Sequence, residues 1–251
     1  LLATLGSREG VAVIASEENE EPVILRQQEL RAGRYAVLFD PLDGSSNLDV
    51  CGAVGTIFSI LPHDAAVPAQ ASLLQRGAAQ VAAGYVLYGS STVFVLTLGR
   101  GVDMFVLEPS VGAFILVERG LRIPAGNRSY SVNEGNRLSF PDGYQRYLDW
   151  AQREGYSSRY TGAMVADVHR ILLKGGVFLY PPTAKARLGK LRLMYEANPI
   201  AFLVEQAGGR ALAGPDERLL EVAPTGIHQR TPVIVGAADQ VDAVVAQLRG
   251  S

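Results

Sequence analysis

Two aspartates, Asp40 and Asp43, stand directly ahead of the turn sequence Gly44-Ser45-Ser46-Asn47, and their types and spacing suit a hard metal ion beside a phosphate. Gly44 permits backbone geometry closed to other residues, so the successive amides of Gly44, Ser45 and Ser46 are expected to curl into a nest for an anion. Bare carboxylates would repel that anion. A bridging cation removes the conflict, and an all-oxygen donor set favours Mg²⁺, with Mn²⁺ as the alternative, over Zn²⁺. A second acidic pair, Glu17-Glu18, follows Ser16. Either cluster alone reads more readily as an ordinary turn or solvated face. Together, each at the end of an apolar run, they place four carboxylates where two divalent ions would sit. Two ions roughly 3.5–4 Å apart bind one phosphoryl oxygen, ionise a water and neutralise the leaving oxygen. The chemistry implied is metal-assisted hydrolysis of a phosphate ester.

The elements that must position these residues are legible around them. Residues 35–39 are continuously apolar, as in a buried strand, and would deliver Asp40 at its C-terminal mouth, with Pro41 expected to end the ladder. Residues 11–15 would deliver Glu17 and Glu18 in the same way, a charged link over 20–34 joining the two. Further strands are expected over 54–61, 81–88, 92–98, 102–107 and 112–117, broken by Gly- and Ser-rich turns, which predicts an antiparallel meander. From Arg122 the pattern changes. Helical spacing over 144–153, 163–174, 199–206 and 239–248 alternates with short strands at 177–180 and 233–235. The expected class is α/β in a layered α+β arrangement: a sheet-rich half over 1–121 and a smaller α/β half over 122–251, with helices between the sheets.

Composition narrows the partners. The 251 residues carry 23 basic and 25 acidic side chains, a net charge of −2, so no basic field invites nucleic acid and the partner is expected to be small. A single cysteine, Cys51, precludes an internal disulfide framework and fits a reducing, cytoplasmic setting; it is expected to be a buried structural thiol. No apolar run approaches the roughly 18–20 residues that span a bilayer, so no membrane partner is expected. No Ser/His/Asp arrangement or Gly-rich nucleotide fingerprint stands out, and His169 reads as structural. The chain opens on Leu1, and residues 1–5 look like the middle of an element, so further sequence is expected upstream.

Other blocks sharpen the picture: Gly55-Thr56-Ile57-Phe58, Ser131-Val132-Asn133-Glu134-Gly135, the run from Tyr160 to Arg170, Gly176-Val177-Phe178-Leu179-Tyr180-Pro181, the run from Gly189 to Glu196, and Pro224-Thr225-Gly226-Ile227-His228-Gln229-Arg230. With these, essentially the whole chain resembles the class 1 fructose-1,6-bisphosphatase family. The acidic motif alone is shared with inositol monophosphatases; the downstream blocks separate the two groups. The resemblance implies the sugar phosphatase fold and Mg²⁺-dependent removal of the 1-phosphate of fructose 1,6-bisphosphate, with two or more ions per subunit. It implies that Glu17, Asp40, Asp43, Glu196 and the Leu42 carbonyl bind metal and that Glu18 orients the attacking water. Gly44, Ser45 and Ser46 would hold the scissile phosphate, Arg192 would add charge as phosphate is displaced, and Lys190 would contact sugar oxygens and phosphate. Asn133, Tyr160 and Tyr180 would grip the 6-phosphate, Met164 would line the sugar site, and Arg159 would act across a subunit boundary in a homotetramer or homodimer.

The match also has departures. The family places a further catalytic aspartate, and most of an AMP site, upstream of the strand that carries Glu17. Arg34 and Tyr35 match downstream AMP contacts, but Pro62 replaces an expected arginine. Asn136 replaces a tyrosine near the 6-phosphate. Asn47, absent from typical sedoheptulose bisphosphatases, favours fructose bisphosphate. A dual sugar bisphosphatase, an inositol monophosphatase-like enzyme and a non-catalytic phosphosugar sensor are the alternative readings.

Overall fold

The apolar runs of the first half pair into one eight-stranded sheet. A computed structural model describes residues 2–6, 10–25, 34–64 and 66–250. Most of the charged link expected over 20–34 lies outside the described residues. The strands are β1 (Val11–Ser16), β2 (Val23–Ile24), β3 (Tyr35–Asp43), β4 (Val54–Pro62), β5 (Ala82–Tyr88), β6 (Thr92–Thr97), β7 (Val102–Glu108) and β8 (Ala113–Glu118). Their order is β2-β1-β3-β4-β5-β6-β7-β8. Among the described residues of this sheet only β1 and β3 run parallel, which brings the two acidic clusters to the same end of neighbouring strands. From β4 to β8 the expected meander is present.

Pro41 does not end its ladder. β3 continues to Asp43 through a bulge, with Asp40 opposite Ile57 and Asp43 opposite Gly55. Three steps on β3 therefore match two on β4. In a regular strand, residues three apart face opposite sides; the extra residue returns Asp43 to the face that Asp40 occupies. A proline lacking its N–H is tolerated at such an irregularity.

The second half supplies β9 (Ser129–Ser131), β10 (Ser157–Ser158), β11 (Val177–Tyr180), β12 (Leu191–Arg192), β13 (Arg210–Gly214), β14 (Glu217–Arg218), β15 (Arg230–Thr231) and β16 (Val233–Gly236). Six of these form a second sheet in the order β10-β9-β11-β16-β13-β14, and β12 pairs with β15. The helices are α1 (Leu2–Gly6), α2 (Asp142–Arg153), α3 (Met164–Lys174), α4 (Asn198–Gln206) and α5 (Ala238–Arg249). α3 and α4 lie between the sheets and touch both, while α2 and α5 cover the far side of the second.

Strand alternation explains this layering. On β11, Phe178 joins the core shared with α3 and α4, whereas Val177 and Leu179 join the core shared with α2 and α5. On β16, Val233 and Val235 face the first core and Ile234 the second. Both faces are dry, so these strands read as continuous apolar runs. At roughly 25 cal/mol per Å² of apolar surface removed from water, such two-sided burial supplies the main force holding the layers together.

Cys51 departs from expectation: it is exposed. It terminates a 3₁₀ turn over Ser45–Val50 that contains no buried residue, and it takes a left-handed conformation there (φ 54°). A turn with no buried residue of its own has no interior in which to seat the thiol.

Candidate active site

The bulge of β3 and a widened turn before α4 build the centre of the site. Leu193–Ala197 forms a π-helical turn leading into α4. Pro199 cannot donate to the Tyr195 carbonyl, so regular α-helical bonding cannot run unbroken through this segment. The turn carries Glu196 inward. Carboxylate oxygens of Asp40, Asp43 and Glu196 lie within 4.8 Å of one another, and the three residues are 6%, 6% and 8% exposed.

Each carboxylate has one fixed backbone donor. Asp40 Oδ1 accepts from the Leu42 amide at 2.8 Å, Asp43 Oδ2 from the Val165 amide at 2.7 Å, and Glu196 Oε2 from the Arg192 amide at 2.5 Å. These bonds favour the ionised forms, but burial outweighs them. Burial foremost, with Glu17 and Glu18 adding repulsion, pushes Asp40 up to about 6. Burial foremost, with Asp40 and Asp167 adding repulsion, pushes Asp43 up to about 7. Glu196 is raised well above the ordinary carboxylate range, chiefly by burial and then by Asp43, Asp40 and Glu17. Three converging carboxylates that resist ionisation fit a hard divalent cation, which would hold all three deprotonated.

Glu17 and Glu18 flank this group. Glu17, at the end of β1, pairs with Arg192, Nε to Oε1 at 2.9 Å, both side chains being mostly shielded. It stands beside the three-carboxylate cluster, close enough to raise two of its members. Arg192 thus ties the site together, its amide on Glu196 and its guanidinium on Glu17. Glu18 is exposed beyond it.

The turn expected to hold phosphate takes the left-handed geometry that its glycine permits. Gly44 is left-handed (φ 80°, ψ 28°) and opens the 3₁₀ turn at Ser45, with no side chain capping that end. Ser45 and Ser46 are exposed. Asn47 is committed elsewhere: its Nδ2 donates to the carbonyls of Ala53 and Thr161 at 3.1 and 3.2 Å.

A cavity of about 350 Å³ has Asn133, Tyr180 and Lys190 in its wall alongside Asn136, Thr183 and Lys185. Tyr160 lies beside it and interacts with Tyr180 and Asn133. Burial raises the hydroxyls of Tyr160 and Tyr180, so both remain protonated donors at neutral pH. Met164 is buried at the start of α3. Arg159 is exposed, its Nη1 donating to the Ser158 carbonyl at 3.2 Å, and it does not line the cavity. Sequence reasoning passed over Thr183 and Lys185; their only signal was a basic loop between β11 and β12. His169, read as structural, bonds through Nδ1 to the Tyr85 hydroxyl at 2.8 Å, away from the carboxylates.

Comparison with known proteins gives a consistent answer along the whole chain. The family models for the N-terminal and C-terminal domains of fructose-1-6-bisphosphatase match residues 1–119 and 123–249. The class 1 fructose-1,6-bisphosphatase of Chlorobium chlorochromatii is 52% identical over 250 residues, covering 96% of this chain and 74% of that protein. The class 1 enzyme of Synechococcus elongatus is 51% identical over 245 residues, with 96% and 70% covered. Among solved structures, Leishmania major fructose-1,6-bisphosphatase in its holo form superimposes with a TM-score of 0.93 at 44% identity, covering 98% of this chain and 79% of that one. Its T-state gives 0.94 at 43% identity, with 99% and 80% covered. The chain belongs to the class 1 fructose-1,6-bisphosphatase family.

Proposed function

We propose that this chain hydrolyses the 1-phosphate of fructose 1,6-bisphosphate to fructose 6-phosphate and phosphate, using Mg²⁺ or alternatively Mn²⁺. The observation that carries this reading is the combination of the Asp40–Asp43–Glu196 cluster and the uncapped Gly44 turn with a cavity walled by Asn133, Tyr180 and Lys190. Asp40, Asp43, Glu196, Glu17 and the Leu42 carbonyl would hold two or more ions. Bound there, the metal supplies charge neutralisation at the phosphoryl oxygens and a more acidic water.

The chain's own groups do the rest. The amides of Gly44, Ser45 and Ser46, with the two serine hydroxyls, hold the 1-phosphate in place. The Glu18 carboxylate orients the attacking water and takes its proton. Arg192 offsets charge on the displaced phosphate, and Lys190 contacts sugar oxygens. Asn133, Tyr160 and Tyr180 bind the 6-phosphate, and Met164 packs against the sugar. Binding energy gathered at the remote phosphate aligns the reacting one.

Residues 1–121 carry most of the metal and 1-phosphate groups in this reading, and 122–251 most of the sugar and 6-phosphate groups. Arg159 of the partner subunit completes the remote pocket in a homotetramer or homodimer. Exposed apolar side chains on edge strand β8, Phe114 at 41% and Ile115 at 49%, support assembly. The single free cysteine supports a cytoplasmic setting.

Phosphate release from fructose 1,6-bisphosphate, sedoheptulose 1,7-bisphosphate and inositol monophosphate, each with and without Mg²⁺, tests the reading. Mg²⁺-dependent release with fructose bisphosphate preferred is expected, and Asp43→Ala is expected to lose on the order of 10²-fold or more. No metal-dependent release, or an undiminished rate in Asp43→Ala, would overturn it.

A further inference from the structure

One residue, Thr161, lies between the two candidate anion sites of this molecule, and it is held through both its amide and its carbonyl. The Thr161 amide donates to Asp167 Oδ1 and Oδ2 at 3.0 and 3.3 Å. The Thr161 carbonyl accepts from Asn47 Nδ2 at 3.2 Å. Asp167 lies in the first turn of α3, 1% exposed, whereas Asn47 lies in the phosphate turn itself. Immediately before Thr161 is Tyr160, beside the cavity. Immediately after it, the chain passes so close to the turn that a Cβ on Gly44 would come within 2.4 Å of Ala163 Cβ.

Burial raises Asp167 to about 6, so it is mostly ionised at neutral pH and its bond to the Thr161 amide is charge-assisted. An ionised side chain sequestered this completely is costly unless it is hydrogen-bonded, and the donors that offset the cost include the Thr161 and Gly162 amides, in the segment leading into α3.

We propose that Asn47 and Asp167 are positioning residues: they clamp the backbone of Thr161 between them and so fix the separation between the phosphate turn and the Tyr160–Tyr180–Asn133 pocket, selecting ligands whose two anionic groups match it. The proposal rests on the bisphosphatase reading above. A loosened clamp weakens ligands that use the remote pocket and spares those that need only the turn.

The test is inhibition by the two products, fructose 6-phosphate and inorganic phosphate, measured with Mg²⁺ on Asp167→Asn, Asn47→Ala and the double variant. For each single variant the KM for fructose 1,6-bisphosphate and the inhibition constant for fructose 6-phosphate are expected to rise about tenfold, the value for inorganic phosphate staying within about twofold. Because both residues act through the one residue Thr161, the double variant is expected to be no worse than the weaker single. Equal weakening of both products in Asp167→Asn, effects that multiply in the double variant, or unchanged constants would overturn the clamp. If the parent enzyme does not turn over fructose bisphosphate, the functional reading fails separately. Calorimetric titration of the same two products then tests the clamp by the same contrast.

Discussion

Gly44 must meet two constraints at once: a left-handed backbone and the absence of any side chain against Ala163. Either alone favours glycine, and together they tie the conformation of the phosphate turn to the packing of the segment that leads into α3. A Cβ at this position would lie 2.4 Å from Ala163 Cβ at a φ of 80°. Left-handed strain costs roughly 1–2 kcal/mol, and overpacking costs about 1–3 kcal/mol. Gly44→Ala is therefore expected to lower stability by roughly 2–5 kcal/mol in urea unfolding. Adding Ala163→Gly should recover only the packing part. Full recovery would show that the left-handed turn is unimportant. Individual chemistry was legible where residue type was informative: two aspartates before Gly-Ser-Ser announced metal and phosphate. Cys51 and Asn47 were not legible, because the exposure of one and the two carbonyl bonds of the other depend on a turn whose path sequence spacing does not specify.

Among the elements, α3 is placed with particular care, since its first turn supplies the amide that Asp43 accepts and its middle anchors on the first sheet. That anchor is the bond between His169 Nδ1 and the Tyr85 hydroxyl, with the rings edge-on at 5.9 Å. Burial lowers the His169 pKa, keeping the ring neutral. Tyr85→Phe leaves the shielded ring nitrogen without its partner and should cost about 1–3 kcal/mol, whereas Tyr85→Phe with His169→Phe removes both polar groups and should lie closer to the parent. Chemical denaturation of the single and double variants checks this, and a double variant weaker than the single would refute it. The long strands and α2 to α5 were readable because their apolar periodicity is strong. The bulge in β3, the π-helical turn before α4 and short β9 and β13 were not, since each is set by register or by neighbouring layers rather than by local preference.

At the scale of the whole molecule, the carboxylate centre exists only when the layers are assembled: Asp40 and Asp43 come from the first sheet, Glu196 from the segment entering the buried helix α4. Folding therefore gathers negative charge, and an ion held by these carboxylates would couple its binding to folding. The folded-state values of Asp40 and Asp43, about 6 and about 7, lie above the ordinary 3.8. Between these limits the metal-free folded state binds more protons than the unfolded chain, so the contribution of these groups to stability is complete below about pH 4 and is lost as pH rises through 6 and 7. A divalent cation reverses the effect, because it takes the deprotonated forms and must displace protons at low pH. Thermal unfolding of chelator-treated protein, with and without saturating Mg²⁺, should show a small metal-induced rise in Tm at pH 5 that grows steadily to pH 8. A rise independent of pH would place the metal away from these carboxylates. A rise that disappears in Glu196→Gln while Arg192 still pairs with Glu17 would locate the coupling in the cluster itself rather than in the charged rim around it.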